Sequence, residues 1–349
     1  MTDNASAASC PAGYGYAASV MAGPAAHDLD TVFVIGGLYG NEQALAAILA
    51  MRDAEAMAGV PVTLVFNGDH NWLNADPASF ARINAEVLGH IALRGNVETE
   101  LGAPSGDGCG CNYPAYVNAD YASTSNAIMA RLQATAAGFP DIARRLAALP
   151  ATLTVKVGAA RIGIVHGDAE QLAGWSFAAE RLSSVAKCVS GDKPDAAPTS
   201  PETLAGWFRA ADVSAFASTH TCLAHATTLA VDGRPRGIFN NGAAGMPNFA
   251  GTTFGLLTRI SHRPERPVGS LYGCAIDGVR FDALPVPYDR AAFRAAFLAN
   301  WPEGSPAHTA YFARITDGPA YSVSDAMGSG LSAGHRASTP RSARQAVAT

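Results

Sequence analysis

Four short polar clusters in this chain of 349 residues join metal-binding side chains to glycine turns. They read Asn67-Gly68-Asp69-His70-Asn71, Arg94-Gly95-Asn96-Val97-Glu98, Val165-His166-Gly167-Asp168 and Ser218-Thr219-His220-Thr221-Cys222. Between them the clusters offer carboxylates, amide oxygens and imidazoles. Donors of these kinds make a borderline-hard shell suited to Zn, Mn or Fe(II). Such an ion is a Lewis acid, and it lowers the pKa of a bound water from about 15.7 towards roughly 7. Taken singly, each cluster has a plain structural reading. Gly-Asp and Gly-Asn are common turns, and His166 alone could be a hydrogen-bonded core histidine. Together, each follows an apolar run, where ligands bind beyond the carboxyl ends of strands in open α/β sheets.

The elements that must position these clusters are legible as periods. Residues 31–35 form a short apolar run that reads as a buried strand, and 62–66 form another. Between them, apolar residues recur at helical spacing from 41 to 58, until Gly59-Val60-Pro61 stops the helix. This β-α-β order predicts parallel pairing. A helix over 77–89 leads to a short strand at 90–93. Residues 99–119 are rich in Gly, Pro, Cys and Asn, and 121–149 carry a helical pattern. The stretch 99–150 therefore reads as a cap inserted over the sheet ends. A hairpin of 153–157 and 161–165 follows, then a helical region broken by a loop at 190–201. Further strands are expected at 213–218, 226–231, 236–239, 254–260 and 271–276. Asp277-Gly278 predicts a tight hairpin into 279–284, and 288–300 looks helical. The organisation expected is an N-terminal extension (1–27), a main domain (28–290), a helical segment (291–316) and a disordered tail (317–349).

The ordered clusters resemble those of the calcineurin-like metallophosphoesterases. That family's pattern runs Asp-x-His, Gly-Asp-x-x-Asp, Gly-Asn-His-Asp/Glu, a lone His, and Gly-His-x-His. The resemblance covers roughly residues 31–285. The segment Phe239-Asn240-Asn241-Gly242-Ala243-Ala244-Gly245-Met246-Pro247 is similar to the small-residue loop after the last motif in bacterial members. It implies a four-layer α/β/β/α sandwich of two mixed sheets flanked by helices, and metal-dependent hydrolysis of a phosphate ester or anhydride by a metal-bound water. The departures sort by role. The ligand set of one metal maps to Gly37, Tyr39, Asp69 and Cys222 and is largely dismantled. The set of the other maps to Asp69, Asn96, His166 and His220 and is complete. The expectation is about one divalent ion (Mn, Zn or Fe) per chain. Val97 stands where the family's leaving-group histidine belongs, so a substitute is needed. His70 is the first candidate for general acid, with Glu98, Tyr39 and His225 behind it; an exposed loop histidine is the bland reading of His70. Arg94 could pair with phosphate bidentately or make a surface salt bridge, and Tyr39 and Asn41 are further candidate substrate contacts. Weak leaving-group assistance points to an activated substrate such as a phosphoanhydride or aryl ester.

Other features narrow the field. Cys109-Gly110-Cys111 is too short for a Cys-x-x-Cys zinc knuckle. It reads as a reduced-thiol loop, or as thiolates that rebuild the lost site with Cys222. Asp168 is expected to orient backbone. Hydrophobic residues make up 48% and charged residues 15%, enough for a sizeable core, and a net charge of −5 gives no footprint for nucleic acid. No run approaches the roughly 20 apolar residues of a membrane helix, and no signal peptide is read at the N-terminus. Six scattered cysteines fit a reduced, cytoplasmic setting. The expected partner is a small phosphorylated substrate, with oligomeric state open. Ile35-Gly36-Gly37-Leu38-Tyr39-Gly40 resembles a dinucleotide loop but lacks its first glycine. The serious alternative is a module of the same fold that binds metal and phosphate ligands with weak or no catalysis.

Overall fold

The computed structural model describes residues 13–183 and 196–334. Residues 1–12, 184–195 and 335–349 lie outside the described residues. With them lie Cys10, Cys188, the first half of the expected 190–201 loop and the end of the expected tail.

The strands are β1 (His27–Leu29), β2 (Thr31–Ile35), β3 (Val62–Asn67), β4 (Ile91–Leu93), β5 (Thr152–Val157), β6 (Ala160–Val165), β7 (Ala215–Ser218), β8 (His225–Val231), β9 (Arg234–Asn240), β10 (Gly255–Ser261), β11 (Tyr272–Ile276), β12 (Val279–Val286) and β13 (Ser332–Ala333). The helices are α1 (Glu42–Met57), α2 (Pro77–Val87), α3 (Asn96–Gly102), α4 (Ala119–Ala136), α5 (Pro140–Ala147), α6 (Ala179–Leu182), α7 (Pro201–Ala211), α8 (Arg290–Asn300) and α9 (Pro306–Asp317). One sheet runs β1-β5-β6-β7-β9-β8 and the other β13-β11-β12-β10-β2-β3-β4. Both are mixed. β2, β3 and β4 are parallel in one, and β6, β7 and β9 are parallel in the other, with antiparallel neighbours outside them.

The run Thr31–Ile35 is buried at every position, because both faces of the sheet are covered. Val32 and Val34 face Ile162, Ile164 and Ala217 of the opposite sheet in the central core. Phe33 and Ile35 pack with Ile48 of α1 and Ile83 and Val87 of α2 on the other side. Phe216 and Ile238 pack against Leu204 and Phe208 of α7. Helix, sheet, sheet and helix therefore stack as four layers, the architecture the resemblance implies. The Asp277-Gly278 hairpin forms with both residues at positive φ, 49° and 75°, the conformation its two-residue turn demands.

Three expectations differ. The helical pattern of 121–149 divides into α4 and α5, because Pro140 has no N–H to continue a helix and is favoured at the start of one. The Gly-Asn turn runs directly into α3, which carries no separate apolar period. The tail expected to be disordered from 317 is folded through 334. Tyr321 and Ala326 are buried, the Tyr321 hydroxyl donates to Ala224 O at 2.9 Å, and β13 pairs with β11. Two buried side chains anchor a segment whose composition reads as loop.

Candidate metal centre

Both sheets end their parallel strands on a common edge, and the four ligand candidates sit just past those ends. Asp69 follows β3, Asn96 opens α3 after β4, His166 follows β6, and His220 follows β7. Asn67 joins the two sheets there: its Nδ2 donates to Val165 O at 2.8 Å, and its own carbonyl accepts from His166 Nδ1 at 2.8 Å. Gly68 and Asp69 both take positive φ, 83° and 57°, a turn that brings the carboxylate back over the strand end.

The four side chains converge. His166 Nε2 lies 3.3 Å from Asp69 Oδ1, 3.2 Å from Asn96 Oδ1 and 3.2 Å from His220 Nδ1. A carbonyl only accepts, so the Nδ1 of His166 must carry its hydrogen towards Asn67 O. The same logic puts the other hydrogen on Nε2 of His220, which meets Cys111 O at 3.1 Å. Both remaining ring nitrogens therefore present lone pairs to each other and to two oxygens. Asn96 is oriented likewise, its Nδ2 donating to Cys109 O at 2.9 Å and leaving Oδ1 inward. With His166 neutral, these acceptor atoms face one another and leave a place for a proton or a metal ion. Ligands held about 2.0–2.2 Å from a tetrahedral ion sit roughly 3.3–3.6 Å apart; the three distances from His166 Nε2 are near the low end of that range, and the Asp69, His166 and His220 atoms all lie within 4.8 Å of one another. Each imidazole also has the carbonyl partner that fixes the tautomer of a metal-binding histidine.

The electrostatics agree. Burial disfavours the His166 imidazolium, but the adjoining Asp69 carboxylate outweighs it and raises the pKa. For Asp69 burial also opposes the charged form, and His166 and His220 more than offset it, so the pKa is lowered. Burial and the neighbouring His166 push His220 down to about 3. The cluster thus favours one positive charge among its donors and keeps His220 neutral.

Glycine at 95 lets these groups meet. A Cβ there would lie 2.5 Å from Asp69 Oδ1 and 2.6 Å from His166 Cε1. Gly95→Ala is expected to weaken Zn or Mn binding about 10- to 100-fold, the range for groups that support ligands. Metal titration against the wild type measures it, and an unchanged affinity would contradict the geometry.

Several candidates from the sequence stand elsewhere. His70 is fully buried, with Nε2 3.3 Å from Asn84 Oδ1 and Nδ1 3.3 Å from Glu98 Oε1. It belongs to a polar network behind the turn and does not line the cleft. Glu98 is also fully buried and accepts the backbone N–H groups of Asp69, Gly95 and Asn71 at 2.6, 3.1 and 3.2 Å. It ties the Gly-Asp turn to the Gly-Asn turn. Asn41 caps α1 by accepting from Ala44 N and donates to Gly245 O at 2.8 Å. Arg94 points its Nη1 at Ala147 O and Leu149 O, 3.4 Å from each; it braces the cap. Hydrogen bonds to neighbouring groups engage most of the polar atoms of these four, while His70 Nδ1 and Arg94 Nε are left without a hydrogen bond. His225 is buried, burial lowers its pKa to about 4, and it does not line the cleft. Asp168 orients backbone, accepting from Glu170 N, Gln171 N and Ser176 N at 3.0–3.1 Å.

Tyr39 does face the cleft. Its hydroxyl lies 2.8 Å from Cys222 Sγ, and its ring packs over Gly37, where a Cβ would fall 2.7 Å from Cζ. Burial and the nearby Cys222 and Asp69 hold its phenol well above the usual range. Cys109 and Cys111 are joined as a disulfide, so neither offers a thiolate to the cluster, contrary to the reduced-thiol reading. Their loop contributes instead through carbonyls: Cys109 O receives Asn96, and Cys111 O receives His220 and, at 3.0 Å, Trp175 Nε1. Sequence reasoning missed Asn67, Trp175 and these carbonyls, since backbone acceptors and lone aromatic residues carry no motif.

No family model and no curated protein matches this sequence. Solved structures match it in shape. The hypothetical protein PH1004 from Pyrococcus horikoshii OT3 has a TM-score of 0.50 and 13% identity, over 83% of this chain and 99% of that one. A metallophosphoesterase from Sphaerobacter thermophilus has a TM-score of 0.47 and 18% identity, over 83% and 99%. At these identities the likeness is one of fold. The chain shares with PH1004 a four-layer fold of two mixed sheets flanked by helices.

Proposed function

We propose that the protein holds one divalent cation with Asp69, Asn96, His166 and His220, and hydrolyses a phosphate ester or anhydride. The carrying observation is the convergence of a carboxylate, an amide oxygen and two imidazole nitrogens, with the other three atoms each 3.2–3.3 Å from His166 Nε2. A divalent ion bound there supplies a Lewis acid for the phosphoryl group and an acidified water. Asn67 O and Cys111 O hold the two imidazoles in the tautomers that present their lone pairs. Glu98 holds the Asp69 and Asn96 turns together. Tyr39 lines the cleft and is kept protonated, and its hydroxyl is assigned to the substrate's oxygens. His70 and Glu98 take no proton-transfer role.

Metal analysis of the purified protein should find about one ion per chain. Turnover of a panel of phosphomonoesters and phosphodiesters with added Mn or Zn should vanish in Asp69→Asn and His220→Ala. The second reading, a binding module, draws on Tyr39 and Cys222, which fill the place where the family holds its other ion. Metal-loaded protein that turns over no member of the panel would establish that reading instead.

The pH dependence has opposite signs with and without metal. In metal-free protein the raised His166 pKa contributes stability that is complete below its ordinary value of about 6.5. That contribution is lost as pH rises through the raised pKa. The lowered pKa of Asp69 contributes stability above its ordinary value of about 3.9, lost only as pH falls through the lowered one. With metal, protons compete for His166, so binding strengthens as pH rises. Thermal denaturation from about pH 5 to 9, with chelator or with Zn, should therefore show a falling and a rising contribution respectively. Parallel curves would argue against metal at His166.

A further inference from the structure

The walls of the cleft over the ligand cluster restrict what can reach it. Six of the residues facing it are aromatic: Tyr39, Trp72, Tyr113, Tyr121, Trp175 and Tyr311. They form a connected surface. Tyr113 lies 5.6 Å from both Tyr121 and Trp175, and Trp175 meets the His220 ring edge-on at 5.4 Å. The aromatic wall thus runs from the inserted cap down to a metal ligand.

Charge is equally specific. Among the described residues no lysine or arginine lines the cleft, and Asp69 is its one carboxylate. Arg314 is close but engaged, donating to Cys222 O at 2.7 Å and Pro247 O at 3.2 Å. A divalent ion beside Asp69 therefore leaves one net positive charge. A phosphomonoester carries about −1.5 to −2 near pH 7 and needs further cationic donors. A phosphodiester carries a single negative charge and needs none.

We infer that the cleft takes a phosphodiester bearing an aromatic group, with the ring against the tyrosine and tryptophan wall and the monoanionic phosphate at the metal. This rests on the metal-dependent reading above and goes beyond it by naming the substrate class. The free space is about 20 Å³, room for roughly one water. A ring therefore enters by parting the walls. The contact that yields is the hydrogen bond from Tyr121 on α4 to Tyr311 on α9, 3.3 Å long, which joins the cap to the C-terminal helices.

The test titrates metal-loaded protein with diphenyl phosphate, phenyl phosphate and dimethyl phosphate, following Trp72 and Trp175 fluorescence. In parallel, kcat/KM is measured on bis(para-nitrophenyl) phosphate and para-nitrophenyl phosphate. Diphenyl phosphate should bind at least about tenfold more tightly than either competitor, the size of effect one stacked ring supplies. Diester turnover should exceed monoester turnover by a similar factor. Tyr121→Leu, at a half-buried ring, should cut the diphenyl-over-dimethyl preference and leave the bound metal in place. Equal or tighter binding of phenyl phosphate, or of dimethyl phosphate, would overturn the inference. Where no ester is turned over, the binding ratios decide it alone. Metal-loaded protein that prefers monoesters defeats the inference and spares the proposed function; protein that takes up no metal defeats both.

Discussion

His220→Ala is expected to lower metal affinity by more than about 100-fold, beyond the 10- to 100-fold that supporting residues carry, and to remove turnover with it. His220 is the ligand whose loss is cleanest to interpret. It is neutral, pushed down to about 3 by burial and by His166, so its removal takes away a lone pair and no charge. It also leaves the pairing of His166 with Asp69 intact, 3.3 Å apart. A ligand role and a packing role separate in thermal denaturation. Wild-type protein should gain stability with Zn as RT ln(1 + [L]/Kd), about 2.7 kcal/mol at a hundredfold excess over Kd. The variant should show almost none of that gain, whatever its stability without metal. A variant that keeps the full metal-induced shift would remove His220 from the ligand set.

The second large effect falls on a residue that touches no substrate. Glu98→Ala is expected to destabilise the fold by about 3–5 kcal/mol, the cost of removing one partner from a buried charged group. The carboxylate accepts three backbone N–H groups from two separate turns, at a position with no solvent exposure. Alanine would leave those donors without acceptors, each costing about 1–3 kcal/mol if fully unpaired. Against a total stability of about 5–15 kcal/mol that loss is severe, so Glu98→Gln provides a milder companion that keeps one acceptor oxygen. Urea denaturation should rank wild type above glutamine above alanine. Were Glu98 a proton-transfer group instead, the glutamine variant would lose turnover at unchanged stability and unchanged metal content.

Much of this architecture was legible before any coordinates. The apolar runs at 31–35 and 62–66, and the helical spacing between them, are local periods set by which faces must be buried. They were enough to predict parallel pairing. The glycines of Gly68-Asp69 and Gly95-Asn96 mark turns, and their order after successive strands pointed to a common edge. Less legible were β1, whose three residues are too few to show a period, and the folded stretch from 318 to 334, which two buried side chains hold in place.

Residue types by themselves determined that a carboxylate, an amide and two imidazoles follow apolar runs in a fixed order. Tertiary structure alone decided which polar neighbours are spent. His70, Glu98, Asn41 and Arg94 looked available in the chain. Each has a polar atom engaged by a backbone or buried polar group brought in from another segment. It also decided that Cys109 and Cys111 contribute carbonyls and no thiolates, and that aromatic residues from the cap and the last helix wall the cleft. The reason is physical: strand and turn preferences act over a few neighbouring residues, whereas the direction of a side chain depends on which distant donor or acceptor would otherwise stay buried and unpaired.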